Sequence, residues 1–128
     1  MKTFEEQRAE QQLGWMLWMD LWGSLKDECE APSADLHLKP SSTLTFSRPS
    51  RTEARVLFRC SSGDYGLRVT IDPDLLYIRY KMDDDPFTRE LLITVRGDSA
   101  CFETRDHLSR TAEEVVHSML ISLVYFKE

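Results

Sequence analysis

Glycine and proline are scarce in this chain, five of each in 128 residues, and cysteine is scarcer still at three. The glycines stand singly, so no Gly-rich loop exists to cradle a phosphate. No HExxH, nucleophile elbow or internal repeat accompanies them. Cys29, Cys60 and Cys101 are far apart and odd in number, with no CxxC pair and no Cys/His cluster. Neither a zinc site nor a disulfide framework is expected from that spacing. Long apolar runs are missing as well. The longest, residues 13–25, is broken by Gly14, Asp20, Gly23 and Ser24, and at about 1.5 Å per residue it is too short to cross a bilayer. The opening MKTFEEQRAEQQ is charged where a secretory leader needs an apolar core, so no leader is expected. Positive charge is in deficit too: 16 Lys and Arg against 22 Asp and Glu leave a net −6, which argues against a general nucleic-acid coat. The expectation is a cytoplasmic protein with reduced thiols, no metal, no cofactor and no membrane partner.

What is present is a globular composition. Hydrophobic residues make up 41% and charged residues 30%, which excludes disorder, and the length suits a single domain. Thr3 followed by Glu6 is a capping box, so a helix opens there, and good helix formers carry it over residues 1–29. Residues 30–42, with Pro32 and Pro40, read as a linker with a short extended piece near Leu36. From residue 43 the pattern changes to strict alternation, first over residues 43–48, where Pro49 ends the run and hints at an edge position. Ala54, Val56, Phe58 and Cys60 share one face of a strand and Glu53, Arg55, Leu57 and Arg59 the other. Similar runs at 65–72, 75–82, 89–96 and 100–104 complete an antiparallel meander within residues 43–105. A second capping box, Thr111 with Glu114, opens a C-terminal helix within residues 109–128, whose apolar stripe includes Val115, Val116, Met119, Leu120, Leu123 and Val124. The expected architecture is one α+β domain over residues 1–128: a helix, a five- or six-stranded antiparallel meander, and a helix, with both helices on one sheet face.

Three features carry functional readings. The first helix is apolar almost all round, with Trp15, Trp18 and Trp22 on one side, Leu13, Leu17 and Leu21 on another, and Met16 and Met19 filling much of the rest. A helix lying on a sheet needs only one apolar stripe, so Trp15, Trp18, Met19 and Trp22 are candidate contacts for a twin subunit or another protein. The opposing reading makes them all core. Residues 1–30 hold seven acids against three bases, so a membrane-surface helix, which wants a basic polar face, is not expected.

The second feature is the outer sheet face. Alternation places Arg55, Arg59, Arg68, Tyr77, Arg79 and Arg96 there, a possible platform for an anionic partner, or a set of solvated ion pairs with Glu53, Glu90 and Glu103. Nucleic acid is the least expected of such partners, since no aromatic pair is spaced for base stacking. The third feature is acidic: residues 27–30 and the run Asp83, Asp84 and Asp85 are expected to be solvated rather than cation sites.

The reading these features favour is a non-enzymatic protein-interaction module that uses the first helix, with the basic sheet face as a possible second surface. The alternative is a small-ligand domain with a cavity between sheet and helices, lined by Trp, Met and Tyr80 with Arg at its rim. The third is a small enzyme built on Cys101 or His107. No residue motif assigns the chain to a family.

Overall fold

The computed structural model describes residues 3–72, 77–104 and 108–125. Helix α1 spans Phe4–Glu30. Seven strands follow: β1 Thr43–Ser50, β2 Glu53–Cys60, β3 Gly63–Asp72, β4 Tyr77–Met82, β5 Arg89–Arg96, β6 Ser99–Glu103 and β7 Ser109–Arg110, before helix α2, Ala112–Tyr125, closes the described chain. The described strands form one antiparallel sheet in sequence order, β1 to β7, so each strand pairs with the next, and among the described residues β1 has no strand on its outer side and is a free edge. None of the described helices is long and apolar enough to cross a membrane.

Both capping boxes form. The Thr3 hydroxyl accepts the Glu6 amide at 3.1 Å while the Glu6 carboxylate accepts the Thr3 amide at 3.3 Å. Thr111 and Glu114 repeat the exchange at 3.2 Å in both directions. Each box satisfies amides that a helix start leaves unpaired.

Alternation delivers one apolar sheet face. Ala54, Val56 and Phe58 of β2, Leu67, Val69 and Ile71 of β3, and Ile78 of β4 are buried; Leu91 and Ile93 of β5 and Phe102 of β6 continue the layer. Both helices cover this face. Helix α1 buries Leu17, Trp18, Leu21, Leu25 and Cys29, and α2 buries Val115, Val116, Met119, Leu120, Leu123 and Val124. The helices also touch each other, so sheet and helices share one core.

The structure departs from the sequence expectation in three places. The described residues form seven strands rather than five or six. The extra one, β7, is only two residues long, too short for any periodicity, and exists because Ser109 and Arg110 pair with Glu103 and Phe102. Strand β1 continues through Pro49 because Pro49 lies on the outermost strand, with a register shift between Ser47 and Ser50. The linker holds no extended piece at Leu36. Instead Ala34–Leu36 is a single 3-10 turn that buries Leu36 and ends at His37, whose φ of 50° is left-handed. Residues 75 and 76 of the expected 75–82 run and residues 126–128 of the expected C-terminal helix segment lie outside the described residues.

Trp18 has no exposed surface while Met19 keeps half of its own, and the two should respond differently to truncation. Trp18→Ala is expected to lower stability by about 3–5 kcal/mol in urea denaturation, whereas Met19→Ala should stay within about 0.5 kcal/mol of the parent. Equal losses at both positions would remove Trp18 from the core.

Candidate functional site

The tryptophans of α1 sit over the β1–β2 hairpin, and each is treated differently. Trp18 is core: its ring is fully buried and its Nε1 donates to the Arg51 carbonyl at 2.9 Å. That corrects the expectation that Trp18 presents itself to a partner, because a side chain sealed between helix and hairpin has no surface to offer. Trp22 is half-buried. It stacks on Phe46 of β1, ring centroids 6.4 Å apart and 21° between planes, and the Arg48 guanidinium lies 4.0 Å above its ring. Trp15 is also half-buried, with the Arg51 guanidinium 5.2 Å above it. The covers of Trp15 and Trp22 are therefore long side chains rather than backbone, and an exposed cation–π contact holds only about 0.5–1 kcal/mol. The Trp22 Nε1 is buried with no hydrogen-bond partner among the described residues, a deficit of roughly 1–3 kcal/mol. Met16 and Met19, on the solvent side, are about half exposed.

Beside this cluster runs the free edge of β1. Thr43, Leu44, Thr45, Phe46 and Ser47 carry no charge, with Leu44 and Phe46 half-buried and the three hydroxyl residues exposed. Arg48 and Pro49 follow at its far end. Soluble sheets ordinarily guard such edges with Lys, inward charges or a covering loop, and Thr43–Ser47 has no charge of its own. Sequence reading gave β1 its edge position through Pro49, but the continuity of that edge with Trp22 requires the α1–β1 contact, which no local pattern encodes.

The outer sheet face gathers the predicted arginines and pairs each with an acid. Arg79 reaches Glu90 at 2.9 Å and lies 4.8 Å over Tyr77; Arg59 reaches Asp64 at 3.5 Å near the β2–β3 turn, and Arg96 reaches Glu103 at 3.9 Å by the β5–β6 turn. These pairs are exposed, so each holds about 0–1 kcal/mol, and the platform is largely neutralised where it stands. Arg55 and Arg68 are different. They face each other as cross-strand partners and both give Nε to a single carboxylate, Glu53, at 2.6 and 2.7 Å. Glu53 is only 8% exposed although alternation puts it on the outer face. Burial pushes its carboxyl pKa up, and the hydrogen bonds and charges of Arg68 and Arg55 more than reverse that, holding it below the usual glutamate value. The sequence pattern gave Glu53 a face but not this shared role.

Two surface grooves, about 360 and 440 Å³, lie beside α2 and meet at Tyr80 and Ser118. Met82 lines one of them and neither is lined by tryptophan; Arg110 and Arg89 stand one in each. Burial raises the Tyr80 pKa, with Arg89 opposing. Of the enzyme candidates, His107 lies outside the described residues, and Cys101 is half-buried on β6 opposite Thr94. Cys29 is buried, and burial together with Glu28 and Glu30 pushes its thiol pKa up to about 12. The described residues contain no His/Cys/Asp/Glu group able to hold a metal ion. Comparison with protein-family profiles, with curated proteins and with solved structures finds no match to this chain.

Two measurements follow from these environments. Because the folded Glu53 pKa is depressed, the stability it contributes is present above the ordinary glutamate pKa of about 4.3 and drains away as pH falls through the lower folded value. Urea midpoints should therefore fall below pH 5, and Glu53→Gln, less stable at pH 7, should show a shallower decline; parallel curves would mean Glu53 does not titrate as argued. In alkylation at pH 8, Cys29 should react far more slowly than Cys60 and Cys101, because almost none of it is thiolate. Equal rates at all three would contradict its burial.

Proposed function

We propose that this chain is a non-enzymatic protein-interaction module whose contact surface is the free β1 edge together with the adjoining α1 flank of Trp15, Met19 and Trp22. The observation that carries the proposal is the uncharged segment Thr43–Ser47, unpaired on its outer side and continuous with the Trp22–Phe46 stack. The occupant it suits best is a second copy of itself. The segment is symmetric about Thr45, polar–apolar–polar–apolar–polar. Two antiparallel copies centred there would set Leu44 of each opposite Phe46 of the other on the helix-covered face, and hydroxyls opposite hydroxyls on the outer face. The apolar row Trp22–Phe46 would then continue across the seam, and Arg48 and Pro49 would end the pairing. The three cysteines stand as free thiols, which supports a reducing, cytoplasmic setting.

Light scattering after size exclusion, over a dilution series, tests this directly. The parent chain should dimerise, and Thr45→Lys, which would set two ammonium groups opposite each other at the symmetry axis, should weaken the dimer by about tenfold or more while the circular dichroism spectrum stays the same. A photo-crosslinker at position 45 distinguishes the remaining cases. A covalent dimer supports self-pairing, an adduct with a different protein moves the module to another partner, and no adduct ends the reading.

A second reading has one observation in its favour. The grooves flanking Tyr80 converge on a half-buried phenol with one arginine in each, Arg110 paired with Glu114 and Arg89 with Asp85, an arrangement suited to a small polar ligand. Metabolite mixtures that leave the melting temperature unchanged would end it.

A further inference from the structure

The outer sheet face holds a groove of about 470 Å³, separate from the Tyr80 grooves and sharing only Thr45 and Ser47 with the β1 edge, and its walls carry opposite charges kept apart. One wall is the Arg55–Glu53–Arg68 clamp. Because both guanidiniums spend Nε on the same carboxylate, their orientation is fixed and two cations are held against one anion; among the described residues Glu53 is the acidic partner of both. Like charges facing each other across strands are ordinarily avoided, so the pair stands ready for a further anion. Thr45 and Ser47 add hydroxyls on the β1 side, and Leu57 gives the groove an apolar patch.

The other wall is Asp83. Its amide donates to the Gly66 carbonyl at 2.9 Å, which fixes the residue over β3. Its carboxylate occupies the space where a side chain at Gly66 would begin, so any residue but glycine there would displace it. Among the described residues Asp83 forms no ion pair, although two arginines line the same groove. Gly66 and Arg68 share a face two residues apart, a step of about 7 Å along a strand. Opposite charges that line one groove and do not close on each other leave a gap that fits a ligand bearing both.

We propose that this groove binds a small zwitterion, with the ligand's carboxylate or phosphate on Arg55 and Arg68 and its ammonium on Asp83. The two-residue step from Gly66 to Arg68 suggests the size: two extended residues span at most about 7 Å, so a dipeptide matches that step in length.

Glycylglycine is the first probe, followed by amide chemical shifts of the intact chain, with N-acetylglycine (anion only), glycinamide (cation only) and O-phosphoethanolamine as comparison arms. Glycylglycine should shift the resonances of Leu57, Gly66 and Arg68 and bind about tenfold or more tighter than either singly charged analogue. O-phosphoethanolamine binding more tightly than glycylglycine would make the anionic group a phosphate. Asp83→Asn should abolish the preference over N-acetylglycine, and Arg55→Gln should weaken every anionic probe while Arg68 still holds Glu53. Gly66→Ala should act as Asp83→Asn does, by moving the carboxylate instead of neutralising it. If N-acetylglycine or inorganic phosphate binds the parent as well as glycylglycine does, the site is a plain anion site and the proposal is overturned. It is overturned equally if no probe shifts these resonances at tens of millimolar, or if Asp83→Asn leaves the preference intact.

Discussion

The bond from the Trp18 indole to the Arg51 carbonyl ties the long first helix to the β1–β2 hairpin, and much of the molecule's arrangement follows from it. An antiparallel meander of this kind has one face to bury and no crossover connection to hold a helix against it. Helix α1 is joined to the sheet only through the linker at 31–42, so its angle and height must be fixed by side chains. Trp18 supplies area, being fully buried, and also direction, because its N–H satisfies a turn carbonyl. With Trp18 so placed, Trp22 falls on Phe46, Trp15 falls under Arg51, and the Leu17, Leu21 and Leu25 side faces the sheet and α2. The expectation that an all-round apolar helix would exceed what the sheet can cover is met only in part. Met16 and Met19 remain exposed, and the tryptophans are divided between core and edge.

Charge is distributed between the two sides of the sheet. The grooves beside α1 and the start of α2 are lined by Asp20, Asp27, Glu28, Asp35, Glu113 and Glu114, while the outer face carries Arg55, Arg59, Arg68, Arg79 and Arg96, five of the chain's eleven arginines. On that face most pairs are exposed and weak. Glu53 is the exception, since a nearly buried carboxylate is costly without partners and two arginines provide them. The result is that Arg55 and Arg68 are held at 2.6 and 2.7 Å by one nearly buried carboxylate, whereas Arg59 and Arg96 reach exposed or longer-range partners at 3.5 and 3.9 Å.

Local rules made most of the fold legible. The two capping boxes are encoded within four residues each, and strand faces are encoded by period two, so Ala54 to Cys60 could be assigned without any tertiary knowledge. What escaped depends on pairing between distant segments. Strand β7 exists only through Phe102 and Glu103. His37 adopts a left-handed φ because the chain must turn after burying Leu36, and nothing in the neighbouring residues announces a left-handed histidine. Trp18 and Trp22 lie on the same helical side, four residues apart, and only the position of the hairpin makes one core and the other edge. Glu53 reads as one more exposed acid until Arg68, fifteen residues on, is brought beside it.

The edge and the sheet-face groove meet at Thr45 and Ser47, whose backbone belongs to the free edge and whose side chains line the groove. A two-fold pairing of β1 with its axis normal to the sheet keeps both outer faces on the same side, so the groove would stay open and a second one would lie across the axis. Edge pairing would then hold the β1 wall in place without touching Arg55, Arg68 or Asp83, which lie on inner strands or their loops. Any coupling in that arrangement passes through the shared β1 wall and acts equally in both directions. It makes a change at Thr45 ambiguous for ligand binding, whereas Asp83 and Arg55 report on the groove alone.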